Sequence, residues 1–170
     1  TDNCDAPGTT AGSDGALVGG NCGGTITRTW TWTDACGNVS IPVTQIITVN
    51  DNIAPVMDAP PGALAVQCIG DVPAMTSLGY TDNCAAPGTV AGTDVSDNGS
   101  CPGIITRTWT WTDACGNVSA AVTQTITVHD TQVPVFAAPP ADVTVQCVGD
   151  VPAMTDLGWT DNCDGANTVT

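Results

Sequence analysis

The sequence predicts an all-β protein, built from tandem β-sandwich repeats of about 80 residues and stapled by disulfides. Three observations predict it. First, the chain copies itself. ITRTWTWTDACGNVS at 26–40 recurs letter for letter at 105–119, GDVPAMT at 70–76 recurs at 149–155, and TDNC occurs at 1–4, 81–84 and 160–163, offset by 80 and 79 residues. Self-similarity at a fixed period marks an array of one structural unit. Second, apolar residues follow a period of two, and no segment sustains the 3.6-residue period of a helix. Third, nine cysteines sit at repeating positions without a C-x-x-C pair. In a small Gly/Pro/Thr-rich unit this density reads as a disulfide framework in an oxidising compartment. A unit this short is near the lower limit for an independent core, so covalent staples matter.

The elements follow in order. Over 25–33, threonines alternate with Ile26, Arg28, Trp30 and Trp32, and the same pattern runs over 105–112. Successive side chains of a strand point to opposite faces, so the tryptophans share one face, read as the core face, and the threonines the other. The next strand is expected at 43–49 and again at 122–128, where Val122, Gln124, Ile126 and Val128 share a face. Between these strands DACGN, at 34–38 and 113–117, supplies the Asp, Gly and Asn of a tight hairpin connection. A shorter strand is expected at 63–68 and at 141–147, and another around 76–81. Residues 50–55 (NDNIAP) and 129–134 (HDTQVP) read as Pro-ending, semi-rigid linkers. They divide the chain into 1–55, the C-terminal part of a repeat, 56–133, a complete repeat, and 134–170, the N-terminal part of a third. Starting and stopping in mid-repeat fits an internal or processed piece of a longer protein.

Charge narrows the functional classes. The chain carries seventeen Asp, no Glu, no Lys and two Arg, a net charge of −15. Nucleic acid and anionic membranes both require a basic face and are excluded as partners. No run of 18 apolar residues is present, so no membrane insertion is expected. Hard oxygen ligands at this density favour calcium, against the plainer reading that Asp forms turns and keeps the surface soluble. The candidate ligands are linker Asp51 and Asp130 with Asn50 and Asn52, and loop Asp2, Asp82 and Asp161 near Asp34 and Asp113. With one histidine, His129 in the second linker, and no Glu or Lys, acid–base chemistry would rest on Asp alone, and no catalytic constellation stands out. An enzyme is not expected.

A first strand ending in Cys, a TDNC loop, then TITRTWTWTDACGN and TQTITVHDTQVPV together resemble the hyalin-repeat (HYR-like) domains of immunoglobulin type. They are similar to the tandem versions in large secreted or surface proteins of bacteria, Bacteroidota in particular. The resemblance covers essentially the whole chain. It implies immunoglobulin-like sandwiches, an extracellular or cell-surface location, a role in adhesins, stalks or matrix, and no catalysis.

The cysteines are read on that basis. Cys101 and Cys115 flank one strand, fourteen residues apart, and at about 3.3 Å per residue they stand roughly 40 Å apart. That is too far for a bond. An immunoglobulin-like strand order then implies Cys84–Cys115 and Cys68–Cys101, with Cys4–Cys36 in the preceding repeat. Cys22, Cys147 and Cys163 are left without partners in this stretch. Either they belong to a longer repeat chain, or a head-to-tail homopolymer pairs Cys147 with Cys22 and Cys163 with Cys36 of the next copy.

Two functional readings remain open. One is a structural segment of an extracellular filament, stalk or surface fibre, assembled end to end from copies of itself. The other is an adhesin-type module that contacts glycans through the threonine faces or through Trp30, Trp32, Trp109 and Trp111. Arg28 and Arg107, at one repeat position, read as guanidinium groups packed on the neighbouring tryptophan and paired with an Asp.

Overall fold

The computed structural model describes residues 8–97 and 102–169. Thirteen strands follow in order: β1 (Ser13–Asp14), β2 (Cys22–Trp30), β3 (Val43–Asn50), β4 (Val56–Met57), β5 (Leu64–Val66), β6 (Leu78–Thr81) and β7 (Gly88–Val90), then β8 (Thr93–Ser96), β9 (Gly103–Trp109), β10 (Val122–Val128), β11 (Val135–Phe136), β12 (Leu157–Asp161) and β13 (Gly165–Val169). Two single 3₁₀ turns, Ile69–Asp71 and Val148–Asp150, are the helical content of the described residues. The fold is all-β with open sheets, and two disulfides join cysteines among the described residues.

The chain forms two compact units. The first comprises Thr1–Asp58, Gly79–Thr89 and Thr110–Ala120, and the second Ala59–Leu78, Val90–Trp109 and Ala121–Thr170. These divisions do not coincide with the sequence repeats: each unit combines segments of two successive copies.

The first unit holds the antiparallel sheet β1-β2-β3 and the small sheet β4-β6-β7, whose strand ends reach the unit boundary. Thr25 pairs with Thr48 and Ile26 with Ile47, and the ladder is interrupted by a bulge between Cys22 and Gly24. The second unit holds β5-β10-β9-β8 and β11-β12-β13. Here β10 runs antiparallel to β9 and parallel to β5, with Ile126 opposite both Ile105 and Leu64. Ile105, Ile126 and Val128 form its apolar core, flanked by Leu64, Val66 and Val72. The alternation read from the sequence appears directly. In β9 Ile105, Arg107 and Trp109 are buried while Ile104 is exposed, and in β10 Gln124, Ile126 and Val128 are buried while Thr123 and Thr125 are exposed.

The tryptophans do not form one core face. Strands β2 and β9 stop at Trp30 and Trp109, so Trp32 and Trp111 lie beyond the ladder. Trp109 is fully buried, and its indole Nε1 donates to the Thr76 carbonyl at 3.1 Å. Trp30 is half-buried, Trp32 is 55% exposed, and Trp111 stacks on Tyr80 with ring centroids 4.6 Å apart. The expected strand at 141–147 is also absent, because extended backbone needs a ladder partner. Its counterpart β5 is a strand because it pairs with β10, and 141–147 has no ladder partner among the described residues.

The two arginines differ by burial. Arg107 is 4% exposed; it faces Asp94 across the β8–β9 ladder and donates to both carboxylate oxygens at 2.8 and 2.9 Å and to the Pro73 carbonyl at 3.1 Å. Arg28 makes the equivalent fork to Asp14 at 2.6 and 2.9 Å, but in the open. In both pairs the hydrogen-bonded guanidinium holds the carboxyl below its ordinary value. Breaking a buried pair strands a charge, whereas an exposed pair contributes little. Arg107→Ala is therefore expected to cost about 2 kcal/mol, reduced from the fully buried case because Asp94 keeps a third of its surface in water. Urea unfolding should show a clearly smaller loss for Arg28→Ala.

Candidate metal centre

The DACGN turn is built around its aspartate. In 113–117 the Asp113 Oδ1 accepts backbone N–H groups of Cys115 and Asn117 at 2.8 and 2.9 Å, and Oδ2 accepts the Asn117 Nδ2 at 2.8 Å. Asp34 in the first copy repeats this with Cys36 and Asn38. Gly37 and Gly116 take φ of +89° and +88° to close the turn, a conformation that disfavours any residue with a Cβ. These bonds, led by the Asn side-chain amide, hold Asp34 and Asp113 below the ordinary aspartate value.

Asp113 then meets two more carboxylates. Asp51 follows β3 in the first linker, Asp82 follows β6, and an oxygen of each lies within 4.8 Å of the others. Asp51 and Asp113 are each 8% exposed, and Asp82 Oδ1 is buried without a hydrogen-bond partner. Two amides sew the group together. Asn83 Nδ2 donates to Asp51 Oδ1 at 3.2 Å, and Asn117 Nδ2 reaches the Asp51 carbonyl at 3.3 Å. Both arginines are committed elsewhere, to Asp14 and Asp94. Three carboxylates this close repel one another, and a hard divalent cation relieves that repulsion with the ligand type it prefers. Cys84 adjoins the cluster. Desolvation, then the charge of Asp51 and a hydrogen bond with it, then Asp82 and Asp113, push its thiol above the ordinary value.

The same positions converge at the second linker, where Asp130, Asp161 and Cys163 offer ligand atoms within 4.8 Å. Cys163 is bonded to Cys68, so its sulfur is not a thiolate ligand, and two carboxylates remain. The sequence named all five of these aspartates but separated linker from loop residues, which the fold brings together. Asn50 lies in β3 opposite Cys22, and Asn52 is exposed. Asn83 and Asn117 were missed, although each is repeated with its motif, TDN and ACGN. Asp2 lies outside the described residues.

The disulfides correct the sequence reading. Cys22 is bonded to Cys115 and Cys68 to Cys163, each with Cα atoms 5.1 Å apart. Cys84–Cys115 and Cys68–Cys101 therefore do not form, and Cys22 and Cys163 are not without partners, which also removes the expected pairing of these two with another copy. Cys36, Cys84 and Cys147 are free and exposed, and the expected Cys4–Cys36 bond falls on a residue outside the described ones. Cys4 and Cys101 lie outside the described residues. The reading assumed that bonds close within a repeat, whereas both bonds join one repeat to the next. Trp109, wholly buried, offers no surface to a ligand.

Residues 56–128 match the family model described as HYR-like domain with 4 cysteines. The matched stretch contains Cys68, Cys84, Cys101 and Cys115. No curated protein and no solved structure matches the chain. HYR-like domains are found in extracellular and surface proteins and are typically non-enzymatic structural or adhesion modules. Among the described residues no helix is long and apolar enough to cross a membrane. The stretch 56–128 is thus similar to an HYR-like domain, and it is bonded on both sides to cysteines outside it.

Proposed function

We propose that the chain is a structural segment of an extracellular filament, stalk or surface fibre, in which HYR-like repeats are laid end to end. The observation that carries this reading is the pairing of the disulfides. Cys22–Cys115 and Cys68–Cys163 each lie within one compact unit and join in it segments of two successive copies, so each unit is completed by the next copy along the chain. Electron microscopy of the oxidised chain tests it: elongated particles that associate end to end are expected, and isolated globular particles at every concentration would refute it.

Calcium belongs to the same proposal. The Asp51, Asp82 and Asp113 cluster supplies oxygen ligands beside the first linker, where a bound ion would stiffen the junction. Calcium at a hundredfold excess over its dissociation constant would stabilise the chain by about 2.7 kcal/mol, roughly 5–10 °C at this size. Asp82→Asn is expected to lose that gain while unfolding no earlier than wild type in chelator, since one repelling charge is gone. Equal calcium responses of the two proteins in differential scanning calorimetry would rule out the site.

A further inference from the structure

The Cys22–Cys115 bond is built into the carboxylate cluster. On one side Cys22 stands opposite Asn50 in the β2–β3 ladder, and the carbonyl of Asn21, the residue before it, accepts the Asp51 N–H at 3.2 Å. On the other side the Cys115 N–H donates to Asp113 Oδ1 at 2.8 Å. The bond therefore clamps the segment that carries Asp51 to the turn that carries Asp113, with the cysteine Cα atoms 5.1 Å apart. A noncovalent link between the same two segments, from Asn117 Nδ2 to the Asp51 carbonyl, is long at 3.3 Å.

Asp82 is held in another way. Tyr80, two residues before it, stacks on Trp111, two residues before Asp113, with ring centroids 4.6 Å apart. That stack keeps Asp82 beside Asp113 without help from the disulfide, so Asp51 is the carboxylate that the bond brings in. The assembled group has an open demand: Asp82 Oδ1 is buried without a donor, between Asp51 and Asp113 at 8% exposure each. A buried carboxylate oxygen that no donor satisfies is costly, and a divalent cation meets that need. The other disulfide, Cys68–Cys163, belongs to the second compact unit, which contains none of the three carboxylates.

We propose that the thiol–disulfide state of Cys22 and Cys115 regulates the cation site: the closed bond assembles Asp51 with Asp82 and Asp113 for calcium, and the open pair releases Asp51. Closing it passes two electrons and two protons from the two thiols to glutathione disulfide, which leaves as two glutathione thiols, and one Sγ–Sγ bond forms. Binding couples back by the same factor, so calcium holds the bond closed. The inference rests on the calcium reading of this cluster.

The test titrates calcium chloride into the whole oxidised chain in the cold, by calorimetry, and follows the binding that Asp82→Asn removes. The double change Cys22→Ser and Cys115→Ser should weaken that binding roughly 10–100-fold, the usual cost of losing a group that positions metal ligands. Cys68→Ser with Cys163→Ser opens a loop of similar length, with separations of 95 and 93, and should leave it unchanged. A second measurement needs no variant. In a glutathione redox buffer, alkylation and mass spectrometry should show calcium chloride, against chelator, shifting Cys22–Cys115 towards the bonded form more than Cys68–Cys163. Equal calcium affinity with and without the Cys22–Cys115 bond, or equal shifts of the two bonds, overturns this inference and leaves the calcium site standing. An oxidised wild type that binds no calcium removes both.

Discussion

Reduction of the oxidised chain in otherwise native buffer is expected to unfold it. Each bond closes a loop of more than ninety residues, with separations of 93 and 95. In the chain-entropy account a loop of that length is worth about 4–5 kcal/mol. Domains of this kind have only about 5–15 kcal/mol in hand, and few apolar side chains here are fully buried: among the described residues Trp109 and Ile126 stand at 0% exposure. Removing one bond by the double change Cys22→Ser and Cys115→Ser should lower Tm by roughly 8–20 °C. Dithiothreitol should take the wild type further. A variant lacking both bonds should no longer respond to reductant, and a wild-type Tm that is the same with and without reductant would show that the bonds hold nothing together.

The second large effect is expected at Trp109. Its indole fills the interior beside Met75 and Gly92, where even a Cβ on Gly92 would approach Nε1 to 2.8 Å. Trp109→Ala leaves a cavity and strands the Thr76 carbonyl that the indole satisfies. Buried Trp-to-Ala changes cost about 3–5 kcal/mol, here roughly 6–20 °C in Tm. Trp32→Ala, at an exposed position in the copied motif, should stay within about 0.5 kcal/mol. Chemical unfolding of the two variants side by side checks the contrast; equal losses would mean that burial does not set the cost.

That contrast shows what the residues carry by themselves. The threonine alternation places β2, β3, β9 and β10 to within a few residues, and DACGN predicts its turn, because both signals are local. Whether a tryptophan is covered depends on what the fold brings to it. Met75 and Thr76, more than thirty residues away in sequence, lie beside Trp109, and nothing in the strand motif itself announces them.

The disulfides failed to emerge for a related reason. Repetition gives each cysteine class several members, and pairing within a repeat and pairing to the next use the same classes. Distance along one strand excluded Cys101–Cys115, and the fold agrees, since Cys115 is bonded to Cys22. Nothing local distinguishes Cys84 from Cys22 as the partner of Cys115. The aspartates are an intermediate case. Asp51, Asp82 and Asp113 are each conspicuous in sequence, but they meet only because the first linker, the loop after β6 and the DACGN turn fold into one compact unit.

The central claim is that successive repeats are joined covalently, and the disulfide map of the purified, unreduced chain tests it most directly. Proteolysis without reduction, followed by mass spectrometry, should release Cys22 linked to Cys115 and Cys68 linked to Cys163. Finding Cys84 linked to Cys115, or Cys68 to Cys101, would show that each repeat closes on itself and would contradict the account.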